Sequence, residues 1–435
     1  MKSVYNWKER SISAEEAAKY VKSGNRVFLT GNCSAPLEFI QALLARHHEL
    51  RHVEIVQLLG IGVGTYFTPD MAEHIRINNM FISHNLRDKV NEGLADFTPV
   101  SLSDIPKLFR SGRIPLDIAV IQVSPPDAHG YCSYGVETGA TKSAAESAQM
   151  VIAEVNYKAP RTLGDSFIHV NRINHFVEVD YRIQELPPTP PSKIQDDIAK
   201  HIAELIPNGA TLQMGIGGIP DAVLSRLTDH QHLGIHTELF SDGVIDMIVN
   251  DVIDNTMKGI HEKKVVAGFA LGTQKLYDFI DDNPIFEFHP TEYVNDPFII
   301  AQNRRMVSIN SALEIDITGQ VCADSMGSEF FSGAGGQIDF VRGAARSEGG
   351  MTFIAMPSTA KGGKISRIVP RLRHGAGVVT TRYDVHHVAT EYGAVDLWGR
   401  TIDERVHALV SITHPDFRED LMRYAREEHY VGKVY

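Results

Sequence analysis

The sequence has only three cysteines in 435 residues, Cys33, Cys132 and Cys322, and no two of them form a CxxC pair. So few unpaired cysteines argue against a disulfide framework and favour a reducing compartment. Long apolar runs are also missing, because none reaches the roughly 18 residues that a membrane-spanning helix requires. Met1–Glu15 carries charges but no apolar core, unlike a signal peptide. We therefore expect a soluble cytoplasmic protein without a membrane partner.

Dense clusters of positive charge are absent too. The chain has 42 Lys and Arg against 54 Asp and Glu, a net charge of -12. Sequence-independent nucleic-acid binding needs a basic surface, so we expect no nucleic-acid partner. An anionic ligand would have to be held by backbone N–H groups and a few well-placed cations.

Several catalytic motifs are missing as well. No Walker A sequence or complete GxGxxG dinucleotide motif is present, which argues against a nicotinamide dehydrogenase. Ser133 and Ser241 lack the GxSxG context of a serine hydrolase. His386, His387 and Glu391 do not have the HExxH spacing of a zinc site. We expect no metal site and no metal or redox cofactor.

A proline-rich stretch divides the chain near its middle. Leu186–Ser192 has four prolines in seven residues, and proline can continue neither a helix nor a central strand. We predict a first domain over 1–186, an extended linker over 187–192 and a second domain over 193–435.

The segments 16–37 and 197–222 share one pattern: a helix, a Gly turn, an apolar strand, a Gly-rich loop and a proline. The pattern indicates a duplication, although any βα unit with a Gly loop and an early helix proline would look similar. Apolar runs alternate with helical patterns elsewhere, which favours parallel sheets covered by helices. The expected fold class is α/β, with two tandem, duplicated open domains. The apolar runs are Val53–Leu59, Leu116–Val123, Val151–Val155, Lys264–Phe269 and Met351–Met356, and the helical patterns include Ile194–Leu205 and Asp416–Glu427.

Three glycine clusters, Gly60–Gly64, Gly215–Pro220 and Gly333–Phe340, are candidate ligand loops or simply tight turns. A carboxylate, Glu238, follows the second cluster at a predicted strand end, where ligands of α/β sheets collect. Taken alone, a glutamate in such a position is more often a helix cap or an ion-pair partner. If the first half aligns through a large insertion, Asn79 is its counterpart there.

The motifs as a set resemble the acetyl-CoA hydrolase/transferase group of class I CoA-transferases, nearest the 4-hydroxybutyrate and butyryl-CoA:acetate enzymes. The likeness covers nearly the whole chain. The segments that carry it are VSPPDAHGYCSYG (123–135), MGIGGIPDAV (214–223), HTELFSDG (236–243), MVSINSALEIDITGQV (306–321), SGAGGQIDF (332–340) and THPDFRE (413–419).

The resemblance implies two α/β domains with the active site in a cleft between them, and a homodimer or homotetramer. It gives the catalytic roles to Glu238, Asn295 and Gly336, with Asn295 orienting the reacting carbonyl and Gly336 serving the oxyanion hole. It also implies that a further set of residues binds coenzyme A. These are Gln213, Met214, Gly215, Ile216, Gly217, Gly218, Ile219, Leu313, Gly333, Gly335 and Gly336.

The implied reaction moves CoA between a short-chain acyl-CoA, 4-hydroxybutyryl-CoA or butyryl-CoA, and acetate. We expect Glu238 to be an anion at pH 7, since glutamate has a reference pKa near 4.3. It would attack the thioester, give an acyl anhydride and then a glutamyl-CoA thioester, and exchange in ping-pong order. The alternative is an acyl-CoA thioesterase in which water intercepts the same intermediates. A non-catalytic CoA-binding protein is disfavoured because the carboxylate is present.

Overall fold

The computed structural model describes residues 6–60 and 68–432. The N-terminal Met1–Tyr5 and the glycines Gly62 and Gly64 of the first cluster lie outside the described residues. The chain forms two compact units, one of Met1–Pro187 with Val266–Val294, the other of Pro188–Val265 with Asn295–Tyr435.

The elements of residues 6–187 alternate between strands and helices. The strands are β1 (Arg26–Leu29), β2 (Val53–Leu58), β3 (Ile75–Phe81), β4 (Asp96–Phe97), β5 (Ile118–Val123), β6 (Tyr131–Ser133), β7 (Met150–Asn156), β8 (Phe167–His169) and β9 (His175–Val179). The α-helices are α1 (Ala14–Ala18), α2 (Leu37–Ala45), α3 (Pro69–Ala72), α4 (Arg87–Asn91), α5 (Ile105–Arg110) and α6 (Thr141–Ser147). Short 3-10 helices cover Trp7–Arg10, Asn32–Ser34, His47–Glu49, His84–Leu86, Leu102–Asp104 and Val170–Arg172.

The first unit is built on a seven-stranded sheet in the order β4-β3-β2-β1-β5-β7-β9, and all of its neighbouring strands are parallel. Every residue of β5 is buried, as the apolar run around it predicts. One core packs α1 and α2 over the sheet through residues such as Ala17, Leu29 and Phe39. Burial on both faces explains why these strands lack alternating polarity.

Strands and helices continue to alternate as far as β14 (Met306–Ser311), after which runs of short strands follow one another. Residues 188–294 contain α7 (Lys193–Ala203), β10 (Thr211–Met214), α8 (Gly218–Arg226), β11 (Gly234–Phe240), α9 (Gly243–Val249), β12 (Val265–Ala270), α10 (Gln274–Ile280), β13 (Phe286–Phe288) and α11 (Thr291–Val294). The elements that follow are α12 (Pro297–Ile300), β14 (Met306–Ser311), β15 (Glu314–Asp316), β16 (Val321–Cys322), β17 (Ser325–Met326), β18 (Glu329–Phe330), α13 (Gln337–Arg346), β19 (Met351–Ala355), β20 (Thr359–Ala360), β21 (Ile365–Ser366), β22 (Ile368–Val369), β23 (His387–Thr390), β24 (Gly393–Asp396), α14 (Ile402–Ser411) and α15 (Pro415–Glu427).

In the second unit, strands lie in the order β11-β10-β14-β19-β23-β24. The first five pair in parallel, and β24 pairs with β23 in the antiparallel direction. A core that includes Val341, Leu409 and Leu421 packs α13, α14 and α15 against this sheet. The predicted α/β class with mostly parallel sheets is confirmed.

The strand orders support the duplication. The series β2-β1-β5-β7-β9 in the first unit has the same order and direction as β11-β10-β14-β19-β23 in the second. Arg26 of β1 lies two residues after Gly24 and pairs with Glu54. Likewise, Thr211 of β10 lies two residues after Gly209 and pairs with Gly234. A chance likeness of two βα units would not extend over five strands.

This register corrects the expected counterpart of Glu238. Glu238 lies four residues after Gly234, and the residue four after Glu54 is Leu58 on β2. Asn79 lies instead on β3, beyond β2, where its Oδ1 accepts a hydrogen bond from Gln57 Nε2 at 3.2 Å. The sequence comparison was wrong because it required an insertion that the strand order does not contain.

The expected domain boundaries stay a prediction, and the compact units differ from them over 266–294, which groups with the first unit. The backbone N–H of Ala270 donates to Val136 at 2.9 Å, and that of Phe288 donates to Leu163 at 2.7 Å. The proline-rich stretch has no regular structure, and α7 begins just after it with a capping box between Ser192 and Gln195.

Two expectations from composition can be set against the structure. The three cysteines are buried and free. Within 6–60 and 68–432, no helix combines the length and apolar character needed to cross a bilayer.

Candidate active site

The carboxylate predicted to react lies near the carboxyl end of β11. Continuing the pairing of β10 with β11 places Glu238 beside Gly215, the first residue of the second glycine cluster. Thr237 fixes the two strands here, because its Oγ1 donates to Met214 O at 3.0 Å and accepts from Met214 N at 3.3 Å. Glu238 itself is half-buried, so it keeps access to solvent at the sheet edge where ligands bind.

Asn295 holds one oxygen of this carboxylate. Its Nδ2 donates to Glu238 Oε2 at 3.0 Å, and the side chain is fully buried. The amide oxygen of Asn295 is buried without a hydrogen-bond partner among the described residues. A buried amide with an unused acceptor is a costly arrangement, which argues that its position serves the carboxylate.

Gly336 approaches the same carboxylate with its backbone. A Cβ at this position would lie 2.2 Å from Glu238 Oε2 and 2.1 Å from Asn295 Nδ2. Its φ is -96°, a conformation open to any residue, so close approach alone requires the glycine. The preceding Gly335, by contrast, has a φ of 56°, in the left-handed region that favours glycine.

The surroundings of Glu238 disfavour its charge. Burial raises the pKa of Glu238 to about 7, and the nearby Asp339 carboxylate adds to the rise, while the Asn295 amide and the Gly336 N–H oppose it. A pKa near 7 means that Glu238 is only partly ionised at pH 7 in the ligand-free protein, in contrast to the expectation from the reference pKa of glutamate, which ignores desolvation. A carboxylate with a pKa near the operating pH, set beside fixed donors, is typical of a catalytic group.

The second glycine cluster lines a cavity at the carboxyl ends of β10, β14 and β19. The cavity has a volume of about 330 Å³. Gly217 has a φ of 117°, and a Cβ on Gly218 would collide with the Gln195 side chain at 2.4 Å. Gly217 therefore has a conformational reason to be glycine, whereas the end of the Gln195 side chain could move to make room for a Cβ on Gly218. The residues that line the cavity are Gln195, Gly215, Ile216, Gly217, Gly218, Ile219, Pro220, Ile309, Asn310, Ser311, Ala355, Pro357 and Arg367.

The structure thus brings together some predicted site residues and leaves others apart. Five of the predicted CoA-binding residues, Gly215–Ile219, line this cavity. Gln213 is buried beneath it and accepts from Asn310 Nδ2 at 3.2 Å, and Met214 is buried too. Leu313, Gly333 and Gly335 are not among the described residues that line it. The roles given to all of these residues stay predictions.

Sequence reasoning missed two charged residues near the site. Asp339, in the first turn of α13, is buried and disfavours ionisation of Glu238. Arg367 lines the glycine-loop cavity from a segment that matched none of the quoted motifs. Asp339 lies within the SGAGGQIDF motif, so an acid there without an assigned role was a usable signal. No motif in the sequence pointed to Arg367.

Comparison with known proteins identifies the chain's relatives. Residues 1–188 match the profile of the acetyl-CoA hydrolase/transferase N-terminal domain, and residues 272–425 match that of the C-terminal domain. The chain is 47% identical over 416 residues to the 4-hydroxybutyrate coenzyme A transferase of Clostridium kluyveri, a match covering 96% of this chain and 97% of that protein.

Two further relatives agree. The butyryl-CoA:acetate CoA-transferase of Anaerostipes caccae is 35% identical, with 97% of each chain covered. The solved structure of 4-hydroxybutyrate CoA-transferase from Porphyromonas gingivalis has a TM-score of 0.84 at 41% identity, covering 97% of this chain and 98% of that one. The resemblance drawn from the sequence motifs is confirmed.

Proposed function

Because the chain belongs to the acetyl-CoA hydrolase/transferase family, we propose that it exchanges CoA between a short-chain acyl-CoA and acetate through a thioester on Glu238. The relatives at 35–47% identity are named CoA-transferases, and the chain is a CoA-transferase. The observation that supports the covalent route is the convergence of Asn295 and Gly336 on one oxygen of Glu238.

The first half-reaction follows from this geometry. The ionised Glu238 oxygen attacks the thioester carbonyl, and collapse of the tetrahedral adduct expels CoA thiolate and leaves an acyl-glutamyl anhydride. The thiolate then attacks the glutamyl carbonyl of the anhydride, which releases the acyl group as a free carboxylate. Glu238 is left as a thioester with CoA. No proton need be supplied, because each leaving group departs as an anion.

Asn295 and Gly336 can act in both half-reactions. Their N–H groups favour negative charge on the free carboxylate, and they lie where the glutamyl carbonyl oxygen becomes an oxyanion when thiolate attacks. Fixed donors at such an oxygen each contribute on the order of 3 kcal/mol. Acetate then attacks the glutamyl thioester and the steps run in reverse, so acyl-CoA and carboxylate use the enzyme in turn.

We favour 4-hydroxybutyryl-CoA as the acyl donor, because the relatives with that name are more similar to the chain than the butyryl relative. Transfer is favoured over the thioesterase alternative by the transferase names of these relatives. Release of CoA should depend on acetate. A rate of CoA release that does not change when acetate is withheld would favour the thioesterase.

Chemical trapping tests the covalent route. Incubation with 4-hydroxybutyryl-CoA followed by borohydride should reduce the glutamyl thioester to an alcohol, inactivate the enzyme and modify Glu238 as seen by peptide mass spectrometry. The Glu238→Gln variant should show no modified peptide. Modification of a serine or cysteine, or full activity after the treatment, would contradict the proposal.

A further inference from the structure

The guanidinium of Arg367 makes few hydrogen bonds with other residues in the described part of the chain. Its Nη1 donates to Ala312 O at 3.3 Å, and its Nε is buried without a hydrogen-bond partner. Among the described residues no carboxylate comes within ion-pair distance of it. Burial lowers the pKa of Arg367, with Glu391 opposing, so the fold pays to keep this guanidinium where it is.

Other arginines of the second unit are engaged to different degrees, and the Nε of Arg382, like that of Arg367, is buried without a hydrogen-bond partner among the described residues. Arg405 donates to three backbone carbonyls, those of Arg382 at 2.7 Å and of Thr318 and Arg400 at 3.3 Å. Arg373 forms an ion pair with Glu314 at 3.2 Å. Position distinguishes Arg367 from Arg382, because Arg382 does not line the glycine-loop cavity, whereas Arg367 does, together with the polar residues Gln195, Asn310 and Ser311.

The position of this cavity relative to Glu238 selects the ligand group. From β11, which carries Glu238, the sheet runs through β10 and β14 to β19, whose last residue Ala355 lines the cavity with Arg367. Three strand spacings amount to about 14 Å. The pantetheine arm of CoA, treated as an extended amide chain, reaches on the order of 15 Å. The phosphate end of a CoA bound as a thioester to Glu238 can therefore reach this part of the sheet.

We propose that Arg367 binds a phosphate group of the CoA pyrophosphate across the cavity lined by Gly215–Pro220. The inference rests on the proposed function, and it assigns a phosphate-recognising residue to a site predicted so far only from glycines. A planar guanidinium with unused N–H donors suits phosphate oxygens, and the backbone N–H groups at the start of α8 face the same space.

The test compares acyl-CoA with the matching acyl-pantetheine, which lacks the pyrophosphate together with the phosphorylated adenosine that it carries. Arg367→Gln should lower kcat/KM for acyl-CoA at least about tenfold, mainly through KM, as expected for loss of a charged hydrogen bond. For the matching acyl-pantetheine, which has no phosphate, the variant and the wild type should agree within about twofold. Arg367→Lys should recover part of the loss with acyl-CoA, because lysine keeps the positive charge but lacks the planar, paired N–H donors of the guanidinium.

Arg373→Gln is the matched control, since Arg373 is also cationic but is paired with Glu314 and does not line the cavity. It should leave the ratio of the two kcat/KM values unchanged. Equal losses of Arg367→Gln with both thioesters would overturn the proposal and make Arg367 structural. A changed preference among carboxylate acceptors at an unchanged KM for acyl-CoA would also overturn it.

Calorimetric binding separates failure of this inference from failure of the proposed function. Free CoA should bind the wild type more tightly than pantetheine does, and Arg367→Gln should lose most of that difference. This measurement needs no turnover, so it supports or overturns the role of Arg367 even if trapping shows no glutamyl thioester. CoA and pantetheine binding the wild type equally would overturn the inference.

Discussion

The two units share five parallel strands in the same order, yet the carboxylate of Glu238, with Asn295 and Gly336 beside it, stands in the second where the first has an apolar side chain. Leu58 stands on β2 where Glu238 stands on β11. In the first unit, Ser103 lies just before the N-cap of α5, the helix that leads into β5. In the second unit, Asn295 lies just before the N-cap of α12, the helix that leads into the corresponding strand β14. Ala140 is the N-cap of α6, the helix that leads into β7 in the first unit. Gly336 is the N-cap of α13, the helix that leads into the corresponding strand β19 in the second unit.

The Ala140 and Gly336 pair teaches the most, because the backbone φ angles are similar at the two positions. Ala140 has a φ of -88° and Gly336 a φ of -96°. The fold therefore tolerates a Cβ at this helix start. Only the carboxylate and amide of the second unit, about 2 Å from where that Cβ would lie, exclude one. Glycine here marks a function rather than a turn.

The first unit also shows that a raised pKa does not by itself make a carboxylate catalytic. Burial raises the pKa of Glu154 to about 7, as it does for Glu238. Glu154 Oε2, however, accepts the backbone N–H of Phe39 at 3.0 Å, and its other oxygen accepts the Tyr181 hydroxyl. These bonds stabilise the start of α2 and leave Glu154 fully buried. Exposure and the choice of donors separate the two acids.

Exchanging each acid for its amide is the strongest way to test this contrast. Glu238→Gln should lower kcat for CoA transfer by at least about ten-thousand-fold, because the amide cannot form the thioester. Glu154→Gln should keep more than about a tenth of the wild-type kcat per folded molecule. Initial rates with acyl-CoA and acetate measure both. Comparable losses in the two variants would break the assignment of the chemistry to the second unit.

The helix starts provide a second, smaller test. Gly336→Ala places a methyl group against Glu238 and Asn295, so kcat/KM should fall at least about tenfold, or roughly 1.4 kcal/mol, with little change in Tm. Ala140→Gly, its counterpart in the first unit, should leave kcat/KM unchanged. Active-site-titrated rates and melting curves on the same preparations distinguish the outcomes. A normal kcat with a lowered Tm in Gly336→Ala would mean that the glycine only shapes the turn.

The sequence was sufficient for the periodic features of the fold. Buried strands such as β5, and the glycine turns at Gly24 and Gly209 that reveal the repeat, depend on local composition and were predictable. The correspondence between the halves was not, because it is set by which strands pair. Asn79 and Leu58 lie on neighbouring strands that residue patterns cannot order without the register.

The site was predictable to the extent that motifs carried it. Glu238, Asn295 and Gly336 came from the family resemblance, and the structure brings them within contact of one another. The charge state of Glu238 was not predictable, because desolvation and Asp339 depend on what packs around the end of β11. Arg367 could be identified only from the structure, because the sequence does not show that it lines the glycine-loop cavity or that its Nε lacks a hydrogen-bond partner.

The last test uses the pH dependence of stability, where the expected effect is smallest. Glu238 has a folded-state pKa of about 7, above its unfolded value near 4.5, so the native fold favours the neutral acid. The stability this provides is fully present below about pH 4.5 and is lost as the pH rises through 7. Glu238→Gln stays neutral throughout, so its Tm should exceed that of the ligand-free wild type by an amount that grows between pH 5 and about 7 and then levels off. The difference in free energy of unfolding should reach at most about 3 kcal/mol, from 1.36 kcal/mol per pKa unit.

Glu154→Gln should show a gap of the same sign in the first unit, which makes it the matched control for burial without catalysis. A Tm gap for Glu238→Gln that is constant with pH would mean that Glu238 is ionised throughout, and the distinction between a desolvated nucleophile and an ordinary surface carboxylate would fail.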